Sequence, residues 1–164
     1  MKKNTSNKGF TLIEILVVIG IIAILAAIVI IAINPARQFA QARNSQRTSN
    51  VNAILNGVGQ YVSDNKGVLP AAVTAAVQNV ADTGANLCAT LVPTYMPALV
   101  VDPVQDPDGA GALAQGQAVP TASCGATYDT AYTIIKDAVG RVTVCAPNGV
   151  EAAIPGSTAI CVTR

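Results

Sequence analysis

Glu14 is the one charged residue inside a long apolar stretch, four positions after Phe10 and five after Gly9. A carboxylate at the middle of a membrane helix costs about 2.5 to 3.5 kcal/mol on insertion scales, and less near its end, so such an acid generally has a partner or a task. Taken alone, Glu14 also suits a shallow side chain that snorkels to the headgroups. Cys88, Cys124, Cys145 and Cys161 carry a second chemistry. They are even in number, far from the apolar stretch, contain no Cys-x-x-Cys pair and have no histidine beside them, which favours two disulfides in an oxidising compartment over a zinc site. Asp102, Asp106 and Asp108 could offer oxygens to calcium. Asp-Pro and Pro-Asp-Gly are also turn chemistry, and the EF-hand spacing with its bidentate Glu is absent, so turns are the preferred reading and no cofactor is expected. The sequence shows no Ser-His or Cys-His dyad, no G-x-S-x-G elbow and no phosphate-cradling glycine loop, so an enzyme is not expected.

These residues belong to two unlike halves. The chain has 164 residues and a net charge of +1, with no basic cluster interleaved with aromatics that would suggest nucleic acid. Charge is segregated all the same. From Phe10 to Ser63 it is Glu14 against Arg37, Arg43 and Arg47, whereas from Asp64 onward eight acids face Lys66, Lys136, Arg141 and Arg164. The first half is basic and the second acidic.

Residues 15–33 read ILVVIGIIAILAAIVIIAI, an unbroken apolar run of about 28 Å as a helix, long enough to cross a bilayer. Lys2, Lys3 and Lys8 precede it and favour a cytoplasmic N-terminus, while the arginines beyond it oppose that bias; the cysteines decide for an external C-terminal side. The run exceeds the core of an ordinary signal peptide, and no two alanines stand two apart between Met1 and Ala40 to provide the usual cleavage site. Gly20, Ala23 and Ala27 form a small-residue stripe suited to close helix packing. At Asn34-Pro35 a kink or loosened stretch is expected. Phe39, Val51, Ile54, Leu55, Val58 and Val62 then place one apolar stripe on an otherwise polar helix, which stops at Asp64-Asn65-Lys66-Gly67.

The string Lys8-Gly9-Phe10-Thr11-Leu12-Ile13-Glu14, with its basic leader and full-length apolar helix, resembles the type III signal of type IV pilins and type II secretion pseudopilins. The resemblance covers Met1 to about Tyr61. It implies a prepilin peptidase that cuts between Gly9 and Phe10 and methylates Phe10, and a pairing of Glu14 with the N-terminal amine of a neighbouring subunit. It also implies an inner-membrane assembly platform and self-association into a filament, with the subunit a single-pass protein of the cytoplasmic membrane before assembly. Leu91-Val-Pro-Thr-Tyr-Met-Pro97 leading to Asp102-Pro103 is similar to the approach to the calcium loop of major pseudopilins, without the aromatic and glycine that follow there.

The expected organisation is a cleaved leader at 1–9, an N-terminal helix over 10–63 (10–33 membrane-spanning, 34–63 amphipathic) and a head over 64–164. The fold class is α+β, with the helix packed on a small antiparallel sheet. Residues 71–81 read as weak helix or loop, and 85–95 as a short helix broken by Pro93. Strands are expected over 131–136, 141–145 and 158–163. Three pairings of the cysteines are open; strand adjacency favours Cys145 with Cys161 and so Cys88 with Cys124. The function expected is a structural subunit of a type IV pilus-like filament. The alternatives are a pseudopilin of a secretion or DNA-uptake system and a membrane-anchored domain that never polymerises.

Overall fold

The computed structural model describes residues 9–109 and 113–164. The chain forms two compact units, one ending at Gln38 and the other spanning Phe39–Arg164. The first contains helix α1, Leu12–Ile33, whose sequence has no polar face beyond Glu14. All its described side chains are exposed.

Asn34 ends α1 in the left-handed region, at φ 44°, a conformation asparagine tolerates better than most residues. The same residue starts helix α2, Pro35–Asp64. Its Oδ1 accepts from the Arg37 N–H at 3.3 Å, and Pro35, at the first helical position, has no N–H to leave unpaired. At the other end Lys66 and Gly67 take positive φ, and the Gly67 N–H donates to the Val62 carbonyl at 2.8 Å. The sequence punctuation at both ends is therefore realised.

The second unit packs α2 against a four-stranded antiparallel sheet. Its strands are β1 (Gln78–Ala81), β4 (Asp129–Lys136), β5 (Val142–Ala146) and β6 (Ile160–Thr163), in that spatial order. Between them lie a one-turn helix α3 (Cys88–Leu91) and a minimal ladder of β2 (Ala98–Leu99) with β3 (Val119–Pro120). Alternation decides which side chains face α2: Thr130, Tyr132 and Ile134 from β4, and Val142, Val144 and Ala146 from β5, are buried. They share a core with Val51, Ile54, Leu55 and Val58 of α2, closed by Leu87, Leu91, Leu99 and Val119. Gly57 faces this core, where a Cβ would meet Leu91 and Met96 at ordinary contact distance, so the helix tolerates it on its packed side.

The structure differs from the sequence expectations at definite places. Residues 78–81 form a strand rather than weak helix or loop, because β4 supplies the ladder partner that Ala and Val alone do not announce. The helix expected over 85–95 shrinks to one turn, and the sheet has a fourth strand. Phe39 is absent from the core and lies 67% exposed.

Both disulfides of the structure lie in this second unit. Cys145 and Cys161 stand directly opposite on β5 and β6, with Cα atoms 4.1 Å apart, and Cys88 of α3 is bonded to Cys124. Non-reducing peptide mapping of the full chain should recover these two pairs. A Cys88–Cys161 peptide would contradict both the pairing and the strand register.

Charge ties the loops to α2. The Arg47 guanidinium is fully buried: Nε donates to Asp102 Oδ2 at 2.7 Å, Nη2 to Asp102 Oδ1 at 3.1 Å, and Nη1 to Glu151 Oε1 at 2.5 Å. Arg43 grips Glu151 from the next turn through Nε and Nη2, at 2.7 and 2.6 Å. The hydrogen bond from Arg43 is the main cause that holds the Glu151 carboxyl at about 2, below its ordinary 4.5; burial pushes upward and Arg47 adds to the lowering. A depressed carboxyl stabilises the fold fully above its unfolded value and loses that contribution as pH falls from about 4.5 through about 2. Glu151→Gln should therefore lower the melting temperature at pH 6, by an effect on the order of 2 kcal/mol. The gap to the parent should narrow as pH is taken to 2; thermal melts followed by circular dichroism would show it, and a pH-independent gap would contradict the assignment.

Candidate processing and assembly site

Gly9 and Phe10 lie just ahead of α1, without regular secondary structure and exposed. Residues 1–8, expected to form the leader with Lys2, Lys3 and Lys8, fall outside the described residues. Among the described residues, its chain neighbour aside, nothing lies within 4 Å of where a Cβ on Gly9 would sit. The local fold therefore places no demand for glycine here; a demand would come from a molecule that approaches the backbone closely.

Two residues on, Thr11 caps α1. It adopts an extended conformation, and its Oγ1 accepts from the Glu14 N–H at 3.2 Å. Glu14 reaches back in return, its Oε2 accepting from the Thr11 N–H and from Thr11 Oγ1–H, each at 2.8 Å. This reciprocal capping box satisfies two helix donors that have no partner within the helix. It also holds the acid at the start of α1, where the helix dipole favours negative charge. Among the described residues nothing donates to Glu14 Oε1, so one carboxylate oxygen remains able to accept from outside. The pattern Thr-x-x-Glu was present in the sequence, yet its capping role was hidden behind the question of the intramembrane acid.

The aspartates lie elsewhere and do other work. Asp102, offered by the sequence as a calcium ligand, is fully buried against Arg47, and its Oδ1 also accepts from the Val104 N–H at 3.0 Å. A guanidinium thus occupies the position in which a metal would have to compete. Asp106 accepts from the Gly109 N–H at 3.2 Å and Asp108 from the Leu113 N–H at 3.0 Å, which is turn chemistry. Among the described residues no group of three or more His, Cys, Asp or Glu is placed to hold a metal ion. Sequence reading missed Arg43, Arg47 and Glu151 as a set, although the segregation of a basic helix from an acidic head was their signal.

Residues 4–32 match the family described as the prokaryotic N-terminal methylation motif. That motif is the type IV prepilin signal, and the match supports a place for this chain in the type IV pilin and pseudopilin family. Comparison with curated proteins and with solved structures found no match. The motif implies processing by a prepilin peptidase and fits membrane anchoring through α1.

Mass spectrometry of the mature chain should find Phe10 as its first residue, N-methylated. Gly9→Val should leave the full-length form, because the branched side chain obstructs the approach that the open backbone at Gly9 allows. Normal maturation of that variant would remove the cleavage assignment.

Proposed function

We propose that this chain is a structural subunit of a type IV pilus-like filament, cut between Gly9 and Phe10 and polymerised through α1. The observation that carries the reading is the prepilin motif over residues 4–32 leading into a helix whose described side chains are all exposed. Such a helix must bury its apolar surface in lipid, in other copies of itself, or in one after the other. Lipid tails satisfy Ile and Leu as well as another helix does, so apolar contact alone sets no register between subunits.

Glu14 supplies what apolar contact lacks. Removal of the leader puts a cationic amine on Phe10, one residue ahead of the α1 cap Thr11 and four positions before Glu14. Two opposite charges in low dielectric attract strongly, and pairing the amine of one copy with Glu14 of the next relieves both while fixing their axial offset. The capping box supports this role: with Oε2 committed to Thr11, the carboxylate is held in place and Oε1 is left for the neighbour. A pseudopilus subunit would use the same chemistry, and imaging of surface filaments distinguishes the two.

Glu14→Ala should insert and be cleaved at normal levels, yet lower filament yield about tenfold or more, the loss expected for a charge pair in low dielectric. Glu14→Asp, with a shorter reach, should fall between. The measurement is the sheared-filament fraction blotted beside whole-cell mature protein. Parental yield from Glu14→Ala would make the acid a helix cap with no part in assembly.

A further inference from the structure

We propose that the unit spanning Phe39–Arg164 stacks head to tail, the end of one copy that lies beyond the close of α2 docking on the opposite end of the same unit in a second copy. The inference rests on reading the chain as a filament subunit, and adds to α1 a second contact between copies.

The strands define the two ends. β4 starts at Asp129, whose N–H donates to the Pro107 carbonyl, and finishes at Lys136, whose N–H donates to the Thr74 carbonyl, about 23 Å further along. β5 runs back antiparallel, so Ala146 and the 147–151 segment lie toward the start of β4. The Asp102 loop lies there too, through the Asp102 N–H on the Thr130 carbonyl, and its pairing with Arg47 brings the early turns of α2 to the same place. This is the near end. At the far end a concavity of about 710 Å³ is lined by Val62, close to the end of α2, by Val68 and Leu69 beyond it, and by Lys136 and Val139 of the β4–β5 turn.

Every exposed large apolar side chain among the described residues of this unit lies at one end or the other. Val104 and Val150 border Arg43 at the near end, and Phe39 precedes Arg43 by one helical turn on the same face. Val68 and Val139 stand at the far end, with Val77 one residue ahead of the β1 position that pairs with Ile134. Apolar surface split between opposite ends suits a heterologous contact, in which one surface meets a different surface of the next copy and the array stays open. Charge gives the direction. Lys66 and Lys136 at the far end have no ion pair among the described residues, and neither have Asp82, Asp106 and Asp129 at the near end, where the Asp82 N–H donates to the Tyr128 carbonyl. Lysine against aspartate favours far end on near end, whereas either end against itself would oppose like charges.

Two measurements on filaments of the full chain test the stack. Reversal of the far end, Lys66→Glu with Lys136→Glu, should lower the sheared-filament fraction at least about threefold at unchanged mature protein, and so should reversal of the near end, Asp82→Lys with Asp106→Lys. All four substitutions together should restore most of the yield, which a merely structural loss would not allow. Independently, Val139→p-benzoylphenylalanine places a photo-cross-linker at a far-end turn position 83% exposed. Irradiated filaments should yield dimers whose cross-linked peptides contain Val104 or Val150. Parental yield from either reversal, or a fourfold variant no better than the reversals alone, overturns the stack. Dimers joined far end to far end, or filaments with no cross-link between copies at this position, overturn it as well and leave polymerisation through α1 standing. A parent that forms no filaments overturns the filament reading and the stack together.

Discussion

A guanidinium removed entirely from water has to be paired on every side, and Arg47 meets that demand with residues from two separate loops. Asp102 comes from the segment after β2, and Glu151 from the segment between β5 and β6. Breaking one side of such a buried pair leaves an uncompensated charge, a loss of about 3 to 5 kcal/mol, whereas the intact pair adds little over a well-packed apolar substitute. Its value is positional. Neither loop has a ladder of hydrogen bonds to fix it on the helix, and the arginine supplies directional contacts where the sheet cannot.

Around this point the polar interior is consistently linked. Asn50, one turn along from Arg47, donates from Nδ2 to the Val101 carbonyl and to the Tyr132 hydroxyl, both at 2.9 Å, and accepts from Gln46. Thr130 donates to the Val80 carbonyl at 2.7 Å. Burial pushes the Tyr132 hydroxyl up to about 12, so at neutral pH it stays protonated while accepting from Asn50. No buried side-chain nitrogen or oxygen among the described residues lacks a partner. The helix and the sheet are thereby matched at polar positions as well as apolar ones.

Much of this was legible in the sequence, for identifiable reasons. The apolar run, the break at Asn34-Pro35, the stop at Gly67 and the alternation of Val142 and Val144 are local signals, carried by residue type and period. What escaped was non-local. β1 exists because β4 pairs with it across a bulge, where Ala131 takes a positive φ of 60° that no alanine advertises. Asp102 looked like a turn residue or a cation ligand because its partner stands 55 positions earlier on another element. Phe39 fitted the spacing of the stripe, yet it is its neighbour Ala40 that is buried, and the cluster of large apolar side chains begins only at Val51.

The two cross-links also define closed covalent rings within the second unit. One ring runs from Cys88 to Cys124 and takes in β2, β3 and the turn-rich stretch between them; the other runs from Cys145 to Cys161 and takes in the loop that carries Glu151. A single backbone scission inside either ring releases no fragment. Two irregular stretches of the unit, 100–118 and 150–159, are therefore enclosed so that a molecule nicked in either keeps all its mass, and its noncovalent contacts can hold the cut ends in register.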